Sequence, residues 1–283
     1  MVYLAIAALL LVAIFIALTP RISPALYSKM IFHPQSDTQS VQPSLPYEDV
    51  FFTTADGVTL HGMFFDNPAT DVALILSHGN AGTLPGWGVL GADLVSTGAS
   101  VLVYDYRGFG KSAGSPTLEG IIKDGLAAHD FLVKDRRVSA KKIIPIGWSI
   151  GSVPTSRMAV ERPCGAVVYF GAFASFNRLS FELMPFLKRI IPFALAFSKR
   201  TDNARSLLQV DASVPVLIAQ AGNDELISMG HANTLLQAAQ GNKELLILPD
   251  CTHANIVPGK ALFFSHVAKL VDAVNTGQKE VGA

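Results

Sequence analysis

The sequence is short of cysteine, of net charge and of repetition, and each shortage removes a class of protein. Cys164 and Cys251 are the only two cysteines. They match no metal-ligand or redox spacing, and the strand layout implied by the apolar runs puts them near opposite ends of a sheet, so neither a metal site nor a disulfide is expected. Lys plus Arg equals Asp plus Glu at 22 each. No basic run breaks that balance, so the electrostatic footprint of a nucleic-acid binder is missing. Repeats and low-complexity tracts are absent as well. What the chain has instead is apolar surface to bury: 50% of its 283 residues are hydrophobic and the mean hydropathy is +0.38, high for a freely soluble protein. That length suits one large α/β domain carrying an insertion.

Part of the excess lies at the N-terminus. Val2 to Leu18 contains no charged residue, and at 1.5 Å per residue a helix of that length covers roughly 25 Å, a marginal span of a bilayer core about 30 Å thick. It reads as a membrane anchor in preference to a cleaved signal peptide, because a basic leader region and an A-x-A cleavage site are both lacking. Arg21 and Lys29 just beyond it favour a cytoplasmic placement of the remaining chain. From Thr19 to Pro46 come Pro20, Pro24, Pro34, Pro43 and Pro46. That density of proline argues for a linker.

Alternating strand and helix signals fill the rest. Asp49–Thr54 and Val58–Phe65 flank turn chemistry at Asp56-Gly57 and predict an antiparallel hairpin. Continuous apolar runs then predict buried strands over Val72–Leu76, Ala99–Tyr104, Ile143–Trp148, Ala166–Phe170, Val214–Ala219 and Glu244–Leu248. Helices are expected near 84–97, from a Thr117 cap to about 133, after Ser149, and near 228–240 and 258–275. The pattern is that of a mostly parallel, eight-stranded sheet with helices on both faces. The longest insertion, between the strands at 170 and 214, is rich in Phe and Leu and predicts a short helical cap or a membrane-surface contact.

Chemistry collects where those strands end. Gly147-Trp148-Ser149-Ile150-Gly151 places a serine between two glycines at a strand-to-helix turn, an arrangement that pushes the hydroxyl above the sheet. A serine hydroxyl is a weak nucleophile until a base takes its proton, and the base needs a carboxylate to fix its tautomer. Asp224 follows the strand ending at Ala219, and His253 follows the strand ending at Leu248. Glu225 and Asp250 are the rival carboxylates. Among the other histidines, His61 reads as a strand residue, and His33, His129, His231 and His266 as structural or solvent-facing. His78 competes by location. Its His-Gly-Asn setting suits another task, because the N–H of Asn80 with that of Ile150 would serve a developing oxyanion.

His78-Gly-Asn-Ala, Asp105-Tyr-Arg-Gly-Phe-Gly-Lys-Ser112, Gly147-Trp-Ser-Ile-Gly, Gly222-Asn-Asp-Glu and His253 together resemble the α/β-hydrolase superfamily, and within it the membrane-anchored Bem46-like and ABHD13/ABHD17-like serine hydrolases. The resemblance implies an α/β-hydrolase domain over 47–276 with a cap insertion at 173–213, preceded by an anchor (1–20) and a Pro-rich linker (21–46) and followed by a tail (277–283). It further implies a Ser149–His253–Asp224 hydrolase of acyl esters or thioesters, with no cofactor or metal and a small-molecule substrate, and a structural role for the loop holding Arg107 and Lys111. A catalytically silent hydrolase fold that binds a membrane ligand, and a peptidase or amidase using the same three residues, are the alternatives. A dehalogenase would want Asp at position 149. Relatives that remove palmitoyl groups from proteins carry a cysteine-rich N-terminus, here replaced by the apolar run, so that activity does not transfer.

Overall fold

Eight strands make one sheet in the order β1-β2-β4-β3-β5-β6-β7-β8. β1 (Glu48–Thr53) and β2 (Thr59–Phe65) form the expected antiparallel hairpin, and β2 also pairs antiparallel with β4 (Ser100–Tyr104). From β4 onward every pairing is parallel, through β3 (Ala73–Ser77), β5 (Ile143–Trp148), β6 (Val167–Phe170), β7 (Val216–Ala221) and β8 (Lys243–Leu248). The computed structural model describes residues 42–185 and 197–277, with 3, 6, 9–11, 28, 29 and 31–34 ahead of them. Most of the Val2–Leu18 run lies outside the described residues, and among those that are described no helix is long and apolar enough to cross a membrane. The tail beyond 277 and the middle of the insertion lie outside them too.

Side chains alternate across the sheet with period two, so one apolar strand feeds two cores. Ile75, Leu102 and Tyr104 pack on one face against Ile121, Ile122 and Phe131 of α2 (Leu118–Lys134) and Val153 and Met158 of α3 (Ser152–Glu161). Leu74, Leu76, Val101 and Val103 turn to the other face, where α1 (Leu84–Leu94) and α6 (Lys260–Thr276) supply Leu84, Leu94, Phe263 and Val267. The predicted start of α2 is found where sequence chemistry put it: the Thr117 hydroxyl accepts the Gly120 N–H at 2.9 Å, satisfying one of the donors a helix start leaves over.

Strand ends shift by one or two residues from the sequence reading, and one of these shifts bears on the site. β7 runs two residues further than expected, to Ala221, because it pairs with β8 along its whole length, Val216 opposite Lys243 through to Ala221 opposite Leu248. That extension makes Gln220 a strand residue, which matters to the site. The described part of the insertion forms α4 (Phe176–Leu183) and, after residue 196, a short turn and α5 (Asn203–Leu207). Four of its described large side chains point inward: Phe176, Leu179, Phe181 and Phe197 are buried in the same core as Phe109 and Ile227, while Leu183 is exposed. Ile31 and Phe32, inside the stretch read as a linker, also pack on that core, Phe32 being only 2% exposed. The two cysteines are both buried and free. Burial pushes the Cys164 thiol up to about 12, so it is no nucleophile at neutral pH.

Candidate active site

β5 ends in the middle of the sheet, and the next residue, Ser149, has φ +52°, a left-handed conformation that few residues other than glycine adopt. Such strain costs on the order of 1–3 kcal/mol and persists only where the surroundings enforce it. The flanking glycines show what does. A Cβ at Gly151 would lie 2.0 Å from the Ser77 carbonyl oxygen, and one at Gly147 would lie 2.7 Å from Ser152 Cα. Only bare backbone allows α3 to leave the sheet this close to β3 and β5.

The turned-out hydroxyl meets a base. Ser149 Oγ is 3.0 Å from His253 Nε2, and His253 Nδ1 is 2.9 Å from Asp224 Oδ2. With Nδ1–H donating to the carboxylate, Nε2 is free to accept the serine proton. Asp224 comes from the loop after β7 and His253 from the loop after β8, and the two loops are tied together. Asn223 N–H donates to the Cys251 carbonyl at 3.0 Å, and its side-chain amide donates to the Pro249 carbonyl at 2.9 Å. The Asp224 carboxylate is saturated: Oδ1 accepts the Leu226 and Ile227 N–H groups, and Oδ2 accepts Gln220 Nε2 at 3.0 Å beside His253. Burial works to raise this carboxyl, but the His253 hydrogen bond and those backbone donors outweigh it and hold it below the usual carboxylate range.

Two contributors went unnoticed in the sequence. Gln220 became visible only once β7 was seen to extend through it. Gly171, at the end of β6, has φ +53°, and a Cβ there would sit 3.2 Å from His253 Nδ1 and 3.3 Å from Asp224 Oδ2. A lone glycine after an apolar run signals a close approach, but nothing local says of what.

The rivals are elsewhere engaged. Glu225 accepts the His253 backbone N–H at 3.3 Å, and Asp250 is solvent-exposed. His78 is fully buried; its Nδ1–H donates to the Gly79 carbonyl at 2.7 Å, and its ring lies 4.2 Å from that of Tyr106. His61 faces Asp49, His129 faces the Pro163 carbonyl, His231 accepts the Ala174 N–H, and His266 faces Glu244. Arg107 is anchored on Asp124 at 2.8 Å and Asp56 at 3.0 Å, a structural placement. No group of three His, Cys, Asp or Glu side chains suited to a metal occurs among the described residues.

Beside Ser149 and His253 opens a cavity of about 800 Å³. Gly79, Asn80, Trp87, Leu90, Trp148 and Ile256 are among its walls. Ile150 lies buried behind Ser149 at the start of the helical run. None of the described insertion residues lines this cavity; its apolar wall comes from α1, from Trp148 at the end of β5 and from the loops after β7 and β8.

A mostly parallel sheet whose central strand ends in a strained serine, with a carboxylate and an imidazole on the loops after the last two strands, defines an α/β-hydrolase fold. The sequence profile described as "Serine aminopeptidase, S33" matches residues 68–207. The chain is 25% identical over 269 residues to the uncharacterized protein YfhR of Salmonella typhi, covering 89% of this chain and 88% of that one. It is 25% identical over 218 residues to the uncharacterized membrane protein YNL320W of Saccharomyces cerevisiae, covering 75% of each chain. It is also 25% identical over 232 residues to the alpha/beta hydrolase domain-containing protein WAV2 of Arabidopsis thaliana, covering 76% of this chain and 72% of that one. Among solved structures, the Pyrococcus furiosus esterase Pf2001 superposes with a TM-score of 0.70 at 21% identity, covering 87% of this chain and 98% of the esterase. The chain is thus similar over most of its length to a protein named for the alpha/beta hydrolase domain, and its fold is that of the α/β-hydrolases.

Proposed function

We propose that the chain is a serine hydrolase that cleaves carboxylic esters or thioesters of apolar acyl groups through an acyl-enzyme. The observation that carries this reading is the unbroken line Ser149 Oγ, His253 Nε2, His253 Nδ1, Asp224 Oδ2, with contacts of 3.0 and 2.9 Å. Ser149 Oγ attacks the carbonyl carbon while its proton passes to His253 Nε2. Asp224 holds the imidazole in the right tautomer and stabilises the imidazolium. The backbone N–H groups of Asn80 and Ile150 receive the oxyanion, helped by the positive end of the helical run that begins at Ser149. His253 returns its proton to the leaving alcohol or thiol. Water then repeats the sequence on the acyl-enzyme and releases the acid.

The substrate class follows from the cavity. Trp87, Leu90, Trp148 and Ile256 offer apolar walls beside the serine, which favours an acyl or lipid-like group over a short polar one. An esterase among the structural neighbours is consistent with this. A fluorophosphonate probe labels Ser149 in wild type and nothing in Ser149→Ala if the reading holds; a folded protein that stays unlabelled sinks it. Turnover across p-nitrophenyl esters and acyl-CoAs of rising chain length then tests the apolar wall, and a preference for the shortest polar ester would refute that part.

The description of the matched profile as a serine aminopeptidase favours one second reading, peptide or amide cleavage by the same residues. Aminoacyl p-nitroanilides run beside the ester panel separate the two. For location, the apolar Val2–Leu18 run supports a single-pass anchor with the domain on the cytoplasmic side, a reading in keeping with the Bem46-like branch and with a yeast relative named a membrane protein. Retention of the full chain, but not of a chain lacking residues 1–20, in carbonate-washed membranes tests it.

A further inference from the structure

Resting on that hydrolytic reading, we propose that Ile31 and Phe32 are positioning residues: they hold the loop after β3 so that the Asn80 N–H faces the oxyanion. Neither residue lines the cavity, so their effect reaches the substrate only through the loop. Two routes lead there.

The polar route runs through the Asn80 side chain. Its Nδ2 donates to the Ile31 carbonyl. Its Oδ1 is buried and has no partner among the described residues. The bond to Ile31 is therefore what orients the carboxamide, and with it the peptide plane at position 80. A single neutral hydrogen bond of this kind adds little to the fold's stability but is enough to select one arrangement of a short loop.

The apolar route runs through three rings. Phe32 is 2% exposed and meets Phe109 edge-on with centroids 6.3 Å apart. Phe109 meets His78 edge-on at 5.4 Å. Two consecutive carbonyls of the loop are held there: the His78 Nδ1–H donates to the Gly79 carbonyl at 2.7 Å, and the Tyr106 hydroxyl donates to the His78 carbonyl at 2.7 Å. Gly79 and Asn80 are the residues that this loop presents to the cavity beside Ser149. The strap itself is a formed turn, closed by the Phe32 N–H on the Ser28 carbonyl at 2.8 Å. A segment that precedes β1 thus braces the oxyanion side from outside and from beneath.

The test uses the full chain and the variants Phe32→Ala, Phe32→Leu, Asn80→Ala and the double Phe32→Ala/Asn80→Ala, each first shown folded at the assay temperature by thermal melting. Removal of a whole oxyanion donor costs about 10²–10³ in kcat, so misplacing one is expected to cost about ten- to a hundredfold. The expected result is that kcat on an acyl p-nitrophenyl ester falls by that factor in both Ala variants while KM stays within about threefold. Inhibition by an aryl trifluoromethyl ketone, whose serine adduct carries an oxyanion, weakens in parallel. Phe32→Leu restores most of kcat, and the double variant loses no more than the worse single one, because both act on one loop. Unchanged kcat and inhibition in Asn80→Ala, whose side chain is only partly buried and whose fold survives, overturns the proposal. So does a rise in KM with kcat intact. Absence of any Ser149-dependent turnover in wild type overturns the hydrolase reading itself, which keeps the two failures apart.

Discussion

Asp224 is fixed by four hydrogen bonds, from Gln220, Leu226, Ile227 and His253, whereas Asn80 across the cavity is fixed through its side chain by one, to Ile31. Asp224 draws three of these partners from its own loop and the adjoining strand and the fourth, His253, from the loop after β8, so this side assembles as β7 and β8 pair. The Asn80 side chain borrows its partner from a segment far away in sequence. Redundancy on one side and dependence on the other imply different responses to substitution. Loss of one partner should be absorbed beside Asp224 and felt beside Asn80.

The largest effects are those that remove the reacting groups and leave the scaffold alone. Ser149→Ala is expected to lower kcat/KM for the best ester by about 10⁴–10⁶, since the base is then left with no nucleophile to activate. It should also relieve nothing in the neighbourhood, because the same glycines still enforce the turn. Asp224→Asn comes next, at about 10⁴ in kcat, because an amide at that position stabilises the wrong imidazole tautomer. Steady-state turnover on a p-nitrophenyl ester measures both. A loss below about tenfold for Asp224→Asn would mean that Glu225, which already bonds the His253 backbone N–H, takes over the role.

The same division explains what could be read from the sequence. Serine, acid and base each follow an apolar strand and sit in turn-forming company, so local pattern and strand order were enough to bring Ser149, Asp224 and His253 together. Asn80 follows β3 in the same way and lines the same cavity. Gln220 could not be placed that way, because the end of β7 is decided by its pairing with β8 and not by its own residues. Gly171 could be seen as a close approach but not as the floor under His253. In the insertion the aromatic residues are visible in the sequence, but whether each lines a cavity or fills a core depends on the direction of its side chain. Phe176, Leu179 and Phe181 fill a core. Phe32 sat in a proline-dense stretch whose composition points to a linker, and only tertiary contact makes it structural.

Gln220→Ala sharpens the comparison from the redundant side. The substitution removes the bonds from Nε2 to Asp224 Oδ2 and to the Ile227 carbonyl, each 3.0 Å. Asp224 still keeps two backbone donors and His253. The expected loss in kcat is less than about tenfold, smaller than that for Phe32→Ala, although Gln220 touches the acid itself and Phe32 is two rings removed from Gly79. The reverse order would break the contrast between a redundant and a dependent half.

The smallest effect is thermodynamic and concerns the same carboxylate. Asp224 titrates below its ordinary value in the folded protein. A carboxyl depressed on folding contributes stability above the unfolded value of about 4, and that contribution is lost as pH falls through the lower, folded value. Asp224→Asn removes the titrating group and keeps its shape. The melting temperature of wild type should therefore exceed that of Asp224→Asn by a few degrees at pH 6–7, and the gap should narrow steadily as the pH is taken below about 4. Two buried histidines, His129 and His231, are held below their usual value by desolvation and impose a separate loss as the pH falls through about 6.5, where the unfolded chain takes up the protons they refuse. For His129 that loss is common to both proteins and cancels in the difference; His231 also feels the Asp224 charge, which works to raise it, so its loss is larger in Asp224→Asn and sets in near pH 6.5, above the carboxyl's own range. Melting curves of the pair at half-unit steps from pH 3 to 7 separate the two ranges, and a gap that stays constant below about pH 4 would show that the four partners of Asp224 do not favour the charged form.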